Sequence, residues 1–175
     1  MVTGFEEVVS QQQRKVYSFA HYYLGSPEEA EDVTQEVFLK LWRHWQKIDL
    51  ASVRPWLLRV TRNACFDRLR QRRSSSRVFL PDSDPERVES SPAPESGPEV
   101  RAQRADFRRH VAQALAKLGE PYRSVLILRE IQGLRYRDIS EVLDMPLNTV
   151  RVNIHRGRRQ LRQELAGRYD SVSMA

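Results

Sequence analysis

The feature that most constrains the fold of this chain is a helical pattern in residues 133–165. Gly133 ends one helix and lets the backbone turn. Tyr136–Leu143 follows as a short amphipathic helix, and Pro146 suits the first position of the next helix, where a missing N–H costs nothing. Apolar residues then recur at helical spacing among a series of arginines. The pattern predicts a helix-turn-helix whose second helix is strongly basic.

The basic second helix has the side chains that binding to duplex DNA requires. Its first turns can enter a major groove and meet base edges, while later cations hold phosphates. Residues 101–175 carry 15 basic and 8 acidic side chains, a net charge of +7. Such a surface favours a polyanionic partner through counterion release. The sequence therefore predicts that the C-terminal part of the chain binds DNA.

A change of composition divides the chain. Residues 74–100 are rich in Ser, Pro and acids, with 2 basic and 6 acidic side chains, a net charge of −4. Such a segment buries too little apolar surface to offset the entropy lost on ordering. We predict an all-α protein with two small helical domains, residues 1–73 and 101–168, joined by an extended, flexible acidic linker over residues 74–100.

The first domain has clear helix signals. Residues 26–29, Ser-Pro-Glu-Glu, supply an N-cap, a proline at the first position and a glutamate three residues after the cap. This helix is expected to end near Trp42, and a third helix is predicted over residues 55–72. In the second domain, helices are predicted up to about Gly119 and over residues 121–132.

Composition argues against several other classes of protein. Cys65 is the single cysteine, and the four histidines have no carboxylate or thiol at metal-ligand spacing, so no metal, cofactor or catalytic site is expected. No apolar run approaches the roughly 20 residues that span a bilayer. The N-terminus has acids where a signal peptide needs cations. We expect a cytoplasmic protein that is not an enzyme and has no membrane-inserted segment.

Two sets of residues in the first domain are candidate binding surfaces. On the second predicted helix, Asp32, Gln35 and Glu36 lie opposite the apolar side, next to Phe38 and Leu39, and this face can dock a basic partner helix. An ordinary solvated face is the alternative interpretation.

The third predicted helix combines Asn63 with many arginines, Arg59 and Arg62 among them. Cations mixed with polar and aromatic side chains suit unstacked single-stranded bases. Trp56, on the same helix, is interpreted as a core residue.

Three sequence blocks occur in an order and spacing that resemble the bacterial extracytoplasmic-function (ECF, group IV) sigma factors. They are AEDVTQEVFLKLW, PWLLRVTRN and LREIQGLRYRDISEVLDMPLNTVRVNIHRGRRQL. The resemblance implies an alternative sigma factor that is a monomer within the RNA polymerase holoenzyme. Its first domain (sigma-2) would bind the polymerase clamp helices and open the −10 promoter element. Its second (sigma-4) would bind the polymerase flap and recognise the −35 element. The resemblance also implies an anti-sigma factor as a partner.

The resemblance assigns roles to the matching positions. Core polymerase binding falls to Asp32, Gln35, Glu36, Phe38 and Leu39. Contact with −10 DNA falls to Trp45, at the start of a base-capturing loop over residues 45–53, and to Arg59, Arg62 and Asn63. Contact with −35 DNA falls to Tyr136, Asn148, Thr149, Arg151, Val152, His155, Arg156, Arg158 and Arg159. Among these, Arg151 and Arg156 suit a bidentate grip on guanine or phosphate, while Arg158 and Arg159 suit the DNA backbone.

The chain departs from the family pattern in the second domain. Asn148 replaces a glycine, and Val152 replaces a small polar residue and offers only apolar contact. Asn153 stands where the family often has arginine, so one cation is expected to be missing. Arg135 stands in place of a Ser or Thr cap, so a weakly capped helix is expected. These changes bear on which promoter sequence is recognised.

One hypothesis from another class remains. A stand-alone helix-turn-helix regulator, whose first domain senses a ligand or dimerises, would account for the C-terminal half equally well. It does not account for the face formed by Asp32, Gln35 and Glu36 together with an arginine-rich helix that carries Asn63. An enzyme would need paired catalytic side chains or a phosphate-binding glycine loop, which the sequence lacks.

Overall fold

A computed structural model describes residues 2–75 and 97–173 of the chain. Within these ranges the protein has seven α-helices and no strand, which confirms the all-α prediction. The helices are α1 (Val2–Leu24), α2 (Pro27–His44), α3 (Val53–Ser75), α4 (Pro98–Lys117), α5 (Tyr122–Leu126), α6 (Tyr136–Leu143) and α7 (Leu147–Ser173). Most of the predicted linker lies outside the described residues, and its two ends belong to α3 and α4, which are longer than the sequence pattern indicates.

Helices α1 to α3 form the N-terminal half around one apolar centre. The long buried side chains there include Phe19 and Tyr23 of α1, Leu41 of α2 and Leu57 of α3. The predicted start of α2 is confirmed, since the Ser26 hydroxyl accepts from the Glu29 N–H at 3.4 Å. Two short 3₁₀ turns, Trp45–Lys47 and Leu50–Ser52, connect α2 to α3.

Helices α4 to α7 form the C-terminal half, and α6 and α7 are the predicted helix-turn-helix. Gly133 has a φ of +68°, as its predicted role in a turn requires. The helix predicted over residues 121–132 instead divides into α5 and a π-helical segment, Ile127–Ile131. Where α7 crosses α5, a Cβ on Gly157 would lie only 3.2 Å from the Leu126 side chain. The absence of that atom lets α7 pack closely against α5.

The two halves pack directly against each other. Helix α1 contacts α4 and the π-helical segment, and α3 contacts α6. Buried apolar residues of both halves belong to one continuous core. At one crossing point, a Cβ on Gly25 would lie 3.6 Å from the Ala116 Cβ. Sequence alone did not predict this packing between the halves.

Candidate nucleic-acid and partner surfaces

Helix α7 divides cleanly into a buried side and an exposed side. Val150, Ile154 and Gly157 face the interior. The exposed side has most of the predicted −35 residues: Asn148, Thr149, Arg151, Val152, His155, Arg156, Arg158 and Arg159. Arg151 donates to the Asn148 Oδ1 at 3.3 Å, so the residue that replaces a glycine orients the neighbouring guanidinium. The α7 face therefore offers cations, amides and one apolar side chain to solvent.

Two predicted −35 residues are engaged within the C-terminal half. Arg158 pairs with Glu130, with Nε at 2.8 Å and Nη2 at 2.6 Å from the same carboxylate oxygen. This hydrogen bond raises the pKa of Arg158. Tyr136 is half-buried, with the Arg129 guanidinium 5.1 Å from its ring centre. These contacts make Arg158 and Tyr136 less available than the other exposed residues of the set.

The structure corrects two expectations about the helix-turn-helix. Asn153 is buried and donates to the Met145 sulfur at 3.3 Å, so this position faces the core and removes no cation from the exposed side of α7. Arg135 has no side-chain acceptor for a cap, but the Asp138 carboxylate accepts from the Arg135 N–H at 3.2 Å. That bond is one half of a capping box, so the start of α6 is better capped than predicted.

Helix α2 presents the predicted partner-binding residues on one side. Asp32, Gln35 and Leu39 are exposed, Glu36 is partly exposed, and Phe38 is half-buried against the core. We call Asp32, Gln35, Glu36 and Leu39 the α2 face. Asp32 lies 3.5 Å from Arg68 of α3, and Glu36 lies 2.6 Å from Lys40. This side of α2 therefore combines acidic, amide and apolar groups.

The sequence analysis missed Trp42 as part of this surface. Its side chain is 57% exposed, close to the 58% of Leu39, and its ring centre lies 4.9 Å from that of Phe5 in a T-shaped arrangement. The signal was in the spacing, because positions 32, 35, 39 and 42 follow the three-four repeat of one helix side. A tryptophan that packs on Phe5 and is still more than half exposed is well placed to contact a partner.

The four predicted −10 residues are not equally accessible. Asn63 is exposed and accepts from the Arg62 guanidinium at 3.3 Å. Trp45 is half-buried, edge-on to Phe5 at 5.2 Å. Arg59 donates to the carbonyl oxygens of Val142 at 3.2 Å and Glu141 at 2.6 Å, at the end of α6. The structure thus brings Arg59, Arg62 and Asn63 together on α3 but points both arginines at the C-terminal half.

The sequence analysis also did not predict a polar cluster around Glu120. The Glu120 carboxylate accepts from the Tyr23 hydroxyl at 2.7 Å, from Ser124 at 2.7 Å and from Arg62 at 3.2 Å. Tyr23 and Arg62 belong to the N-terminal half, nearly a hundred and about sixty positions away along the chain. No local pattern marks such a pairing, which depends on how the two halves pack.

Two further structural properties concern metal-ligating side chains and helix hydropathy. Among residues 2–75 and 97–173, no three His, Cys, Asp or Glu side chains are grouped as a metal site would require. None of the helices described here has the length and apolar character needed to cross a membrane.

Two family models match the chain, on either side of the predicted linker. The model for Sigma-70 region 2 matches residues 8–75, and the model for Sigma-70, region 4 matches residues 108–161. A solved structure of the sigma factor RpoE in complex with the anti-sigma factor NepR, from Bartonella quintana, has a TM-score of 0.69 at 23% identity. The match covers 93% of this chain and 97% of that one, so the fold is shared across both halves.

Curated relatives agree with these matches. The ECF RNA polymerase sigma factor SigE of Mycolicibacterium smegmatis is 36% identical over 163 residues, which are 93% of this chain and 62% of SigE. The ECF RNA polymerase sigma factor SigW of Bacillus subtilis is 30% identical over 169 residues, 93% of this chain and 89% of SigW. The chain belongs to the extracytoplasmic-function sigma factors of the sigma-70 family, and is an initiation factor rather than the stand-alone helix-turn-helix regulator of the alternative hypothesis.

Proposed function

We propose that the chain binds core RNA polymerase through the α2 face and directs initiation by contacting −10 DNA with α3 and −35 DNA with α7. The observation that carries this proposal is the presence of three distinct surfaces on one chain: an acidic-apolar side of α2, an arginine-asparagine cluster on α3 and a basic side of α7. Residues 1–73 would form the sigma-2 domain and residues 101–168 the sigma-4 domain, with residues 74–100 between them.

The α2 face suits a basic partner helix, the polymerase clamp. Asp32 and Glu36 supply negative charge, Gln35 supplies an amide, and Leu39 adds apolar area that gains free energy when water leaves it. Trp42 extends this surface by one turn, and exposed tryptophans are enriched among residues that dominate binding energy. Phe38 packs against the core beneath the α2 face and would not contact the partner.

The α3 residues suit an unpaired DNA strand. Asn63 can hydrogen-bond a base edge, and Arg59 and Arg62 can neutralise phosphates once they are released from the C-terminal half. The turns that follow Trp45 expose Leu50, so the connection between α2 and α3 can meet an extruded base. Melting would then draw on binding free energy, since trapping unstacked bases offsets the cost of unpairing them.

The exposed side of α7 suits the major groove of a −35 element. Arg151 and Arg156 are the candidates for bidentate contact, and Val152 fits a thymine methyl group. Arg159 is placed to grip a phosphate, and Arg158 joins it if the pair with Glu130 opens. The chain itself needs no cofactor for any of these steps.

An anti-sigma factor is a proposed partner because a solved protein of this fold was crystallised with one. In this proposal the chain works in the cytoplasm, as a monomer within the holoenzyme, without membrane insertion and without enzymatic activity of its own. The polymerase flap is proposed to contact the C-terminal half.

The proposal is tested by size-exclusion chromatography of the chain with core RNA polymerase in the absence of DNA. We expect stoichiometric co-elution by the natural chain and none by Asp32→Arg/Gln35→Ala, because both substitutions lie on the exposed α2 face. Asp67→Arg is a matched control. The Asp67 side chain is 65% exposed and lies 3.9 Å from Arg70, and the Asp32 side chain is 61% exposed and lies 3.5 Å from Arg68. Normal co-elution by the α2 variant, or loss by both variants, would contradict the assignment.

A further inference from the structure

The first turn of α7 carries an exposed hydrogen bond between two side chains. Asn148 is the second residue of α7, and both it and Arg151 are exposed. The Val150 N–H donates to the Pro146 carbonyl oxygen at 3.0 Å, so the backbone around Asn148 is already helical. The Arg151 Nη1 donates to the Asn148 Oδ1 at 3.3 Å. Residues three apart are neighbours on one side of a helix, and this side is the surface proposed for −35 DNA.

The bond to Asn148 holds the Arg151 guanidinium toward the beginning of α7. Side chains on a helix lean toward its N-terminus, and Asn148 lies about one turn before Arg151. In a helix-turn-helix, the N-terminal residues of the second helix contact base edges. An arginine that rotates freely reaches a base edge or a phosphate equally well, because its side chain is long and has several rotatable bonds. Asn148 therefore favours a base contact by Arg151.

The Asn148 amide orients Arg151 without neutralising it. Arg158, later on the same helix, has the carboxylate of Glu130 as its partner. An amide carries no charge, so Arg151 keeps its full positive charge for DNA.

The same bond determines which groups the pair offers to a base. A guanidinium has donors and no acceptor, so the amide must turn its oxygen to Arg151 and its nitrogen away. The Asn148 Nδ2 and the remaining N–H groups of Arg151 are all donors. The first turn of α7 thus presents a surface that can donate hydrogen bonds and, with Oδ1 engaged, accepts few.

Guanine is the base whose edge matches a surface of donors. In the major groove it presents two acceptors, N7 and O6, whereas adenine presents one acceptor and the N6 donor. An asparagine with a free amide suits adenine, since it offers one donor and one acceptor. With its oxygen bonded to Arg151, Asn148 loses that match, and the adenine N6 would meet donors and lose a hydrogen bond.

We propose that Asn148 is a specificity-determining residue that acts through Arg151 and makes α7 select guanine over adenine at one position of the −35 element. Arg151 makes the base contact, and Asn148 is the residue that positions it. The inference rests on the proposed function, because only a chain that binds a −35 element brings α7 to base edges.

The test uses holoenzyme assembled from core RNA polymerase and the full chain. Duplex fragments with randomised −10 and −35 regions are selected for binding and sequenced, and single-base variants of the best −35 element are then titrated. The variants are Asn148→Ala, Arg151→Ala and the double substitution. Alanine has a higher helix propensity than asparagine, so Asn148→Ala does not weaken α7. Gln163→Ala is the matched control, since it removes an exposed amide from α7 about four turns further along.

The natural chain and the Gln163→Ala control should prefer guanine at one −35 position, which Arg151→Ala identifies by abolishing that preference. Asn148→Ala should lower the ratio of guanine to adenine binding there about three- to tenfold, the range that one hydrogen bond supplies. Preferences at the other positions should not change. In the Arg151→Ala background, Asn148→Ala should have no further effect at this position, because its effect passes through Arg151.

Three outcomes would overturn the inference while leaving −35 recognition intact. They are an unchanged guanine preference in Asn148→Ala, an equal loss of affinity for all sequences, and an effect of Asn148→Ala that persists without Arg151. A natural chain that prefers adenine at this position would overturn it as well. If the natural holoenzyme selects no −35 sequence at all, the proposed function fails, and the inference fails with it.

Discussion

Two arginines of α3, Arg59 and Arg62, resemble the arginines of α7 in the sequence but have different partners in the fold. On α7, Arg151, Arg156 and Arg159 are exposed, and Arg158 pairs with Glu130 in its own half. On α3, Arg59 and Arg62 are bonded to groups of the other half. The lesson is that an arginine cluster shows where an anion could bind, whereas the long-range packing decides whether it is available.

The two ion pairs also differ in how strongly they should be held. The Arg158–Glu130 side chains are 45% and 42% exposed, and such surface pairs contribute about 0–1 kcal/mol. The Arg62–Glu120 pair is more shielded and shares its carboxylate with two hydroxyl donors. We therefore expect changes at the interface between the halves to have larger effects on the free chain than changes around α7.

The largest expected effect on stability is at Arg123. Arg123→Ala should lower the free energy of unfolding by about 3 kcal/mol, because the carbonyl oxygens of Leu118 and Tyr23, to which its buried guanidinium donates, lose that donor. Urea denaturation followed by circular dichroism measures this change. The control is Arg129→Ala, since Arg129 donates to one carbonyl oxygen, that of Leu134 at 2.8 Å, and should cost about 1 kcal/mol. Equal losses from the two variants would show that Arg123 has no special role between the halves.

On the exposed side of α7, Arg151→Ala should weaken binding of the holoenzyme to the −35 element. A bidentate base contact is worth about 1–3 kcal/mol, and its loss relaxes preference at one base position. Promoter-binding titrations over single-base variants of the −35 element measure both effects. Arg159→Ala should instead weaken binding to all sequences alike, as expected of a phosphate contact. A uniform loss for Arg151→Ala would make it a phosphate contact too.

Local signals predicted the helix-turn-helix well. Gly133 and the apolar spacing placed α6 at Tyr136–Leu143, the bounds that the structure has, because a glycine at positive φ and a helical repeat are properties of neighbouring residues. The start of α2 was equally readable from Ser26. Asp138 is a local signal that the prediction missed, because an acid at the third helical position can accept from the Arg135 N–H.

The interface between the halves could not be predicted in the same way. Its contacts join residues such as Tyr23 and Glu120, which no period or motif connects. Arg59 and Arg62 were already explained as DNA contacts. No sequence pattern indicated that they also bond to the C-terminal half. The inward position of Asn153 could have been recognised, because residues 150, 153, 154 and 157 share one side of a helix.

The smallest expected effect is at Glu130. It tests whether the ion pair between Glu130 and Arg158 limits the contact of Arg158 with DNA. Glu130→Gln removes the negative charge that attracts Arg158 and should tighten holoenzyme binding to the −35 region by less than about 1 kcal/mol, since an exposed pair holds its arginine only weakly. The gain should be the same for all −35 sequences and should add about one to the salt dependence, as one more phosphate contact would. Fluorescence anisotropy over a range of salt concentrations measures both. If the affinity falls, or changes for only some sequences, Glu130 orients Arg158 toward the DNA rather than holding it back. In that case the Arg158–Glu130 pair would orient Arg158 for DNA binding, whereas the Arg62–Glu120 pair engages Arg62 within the protein.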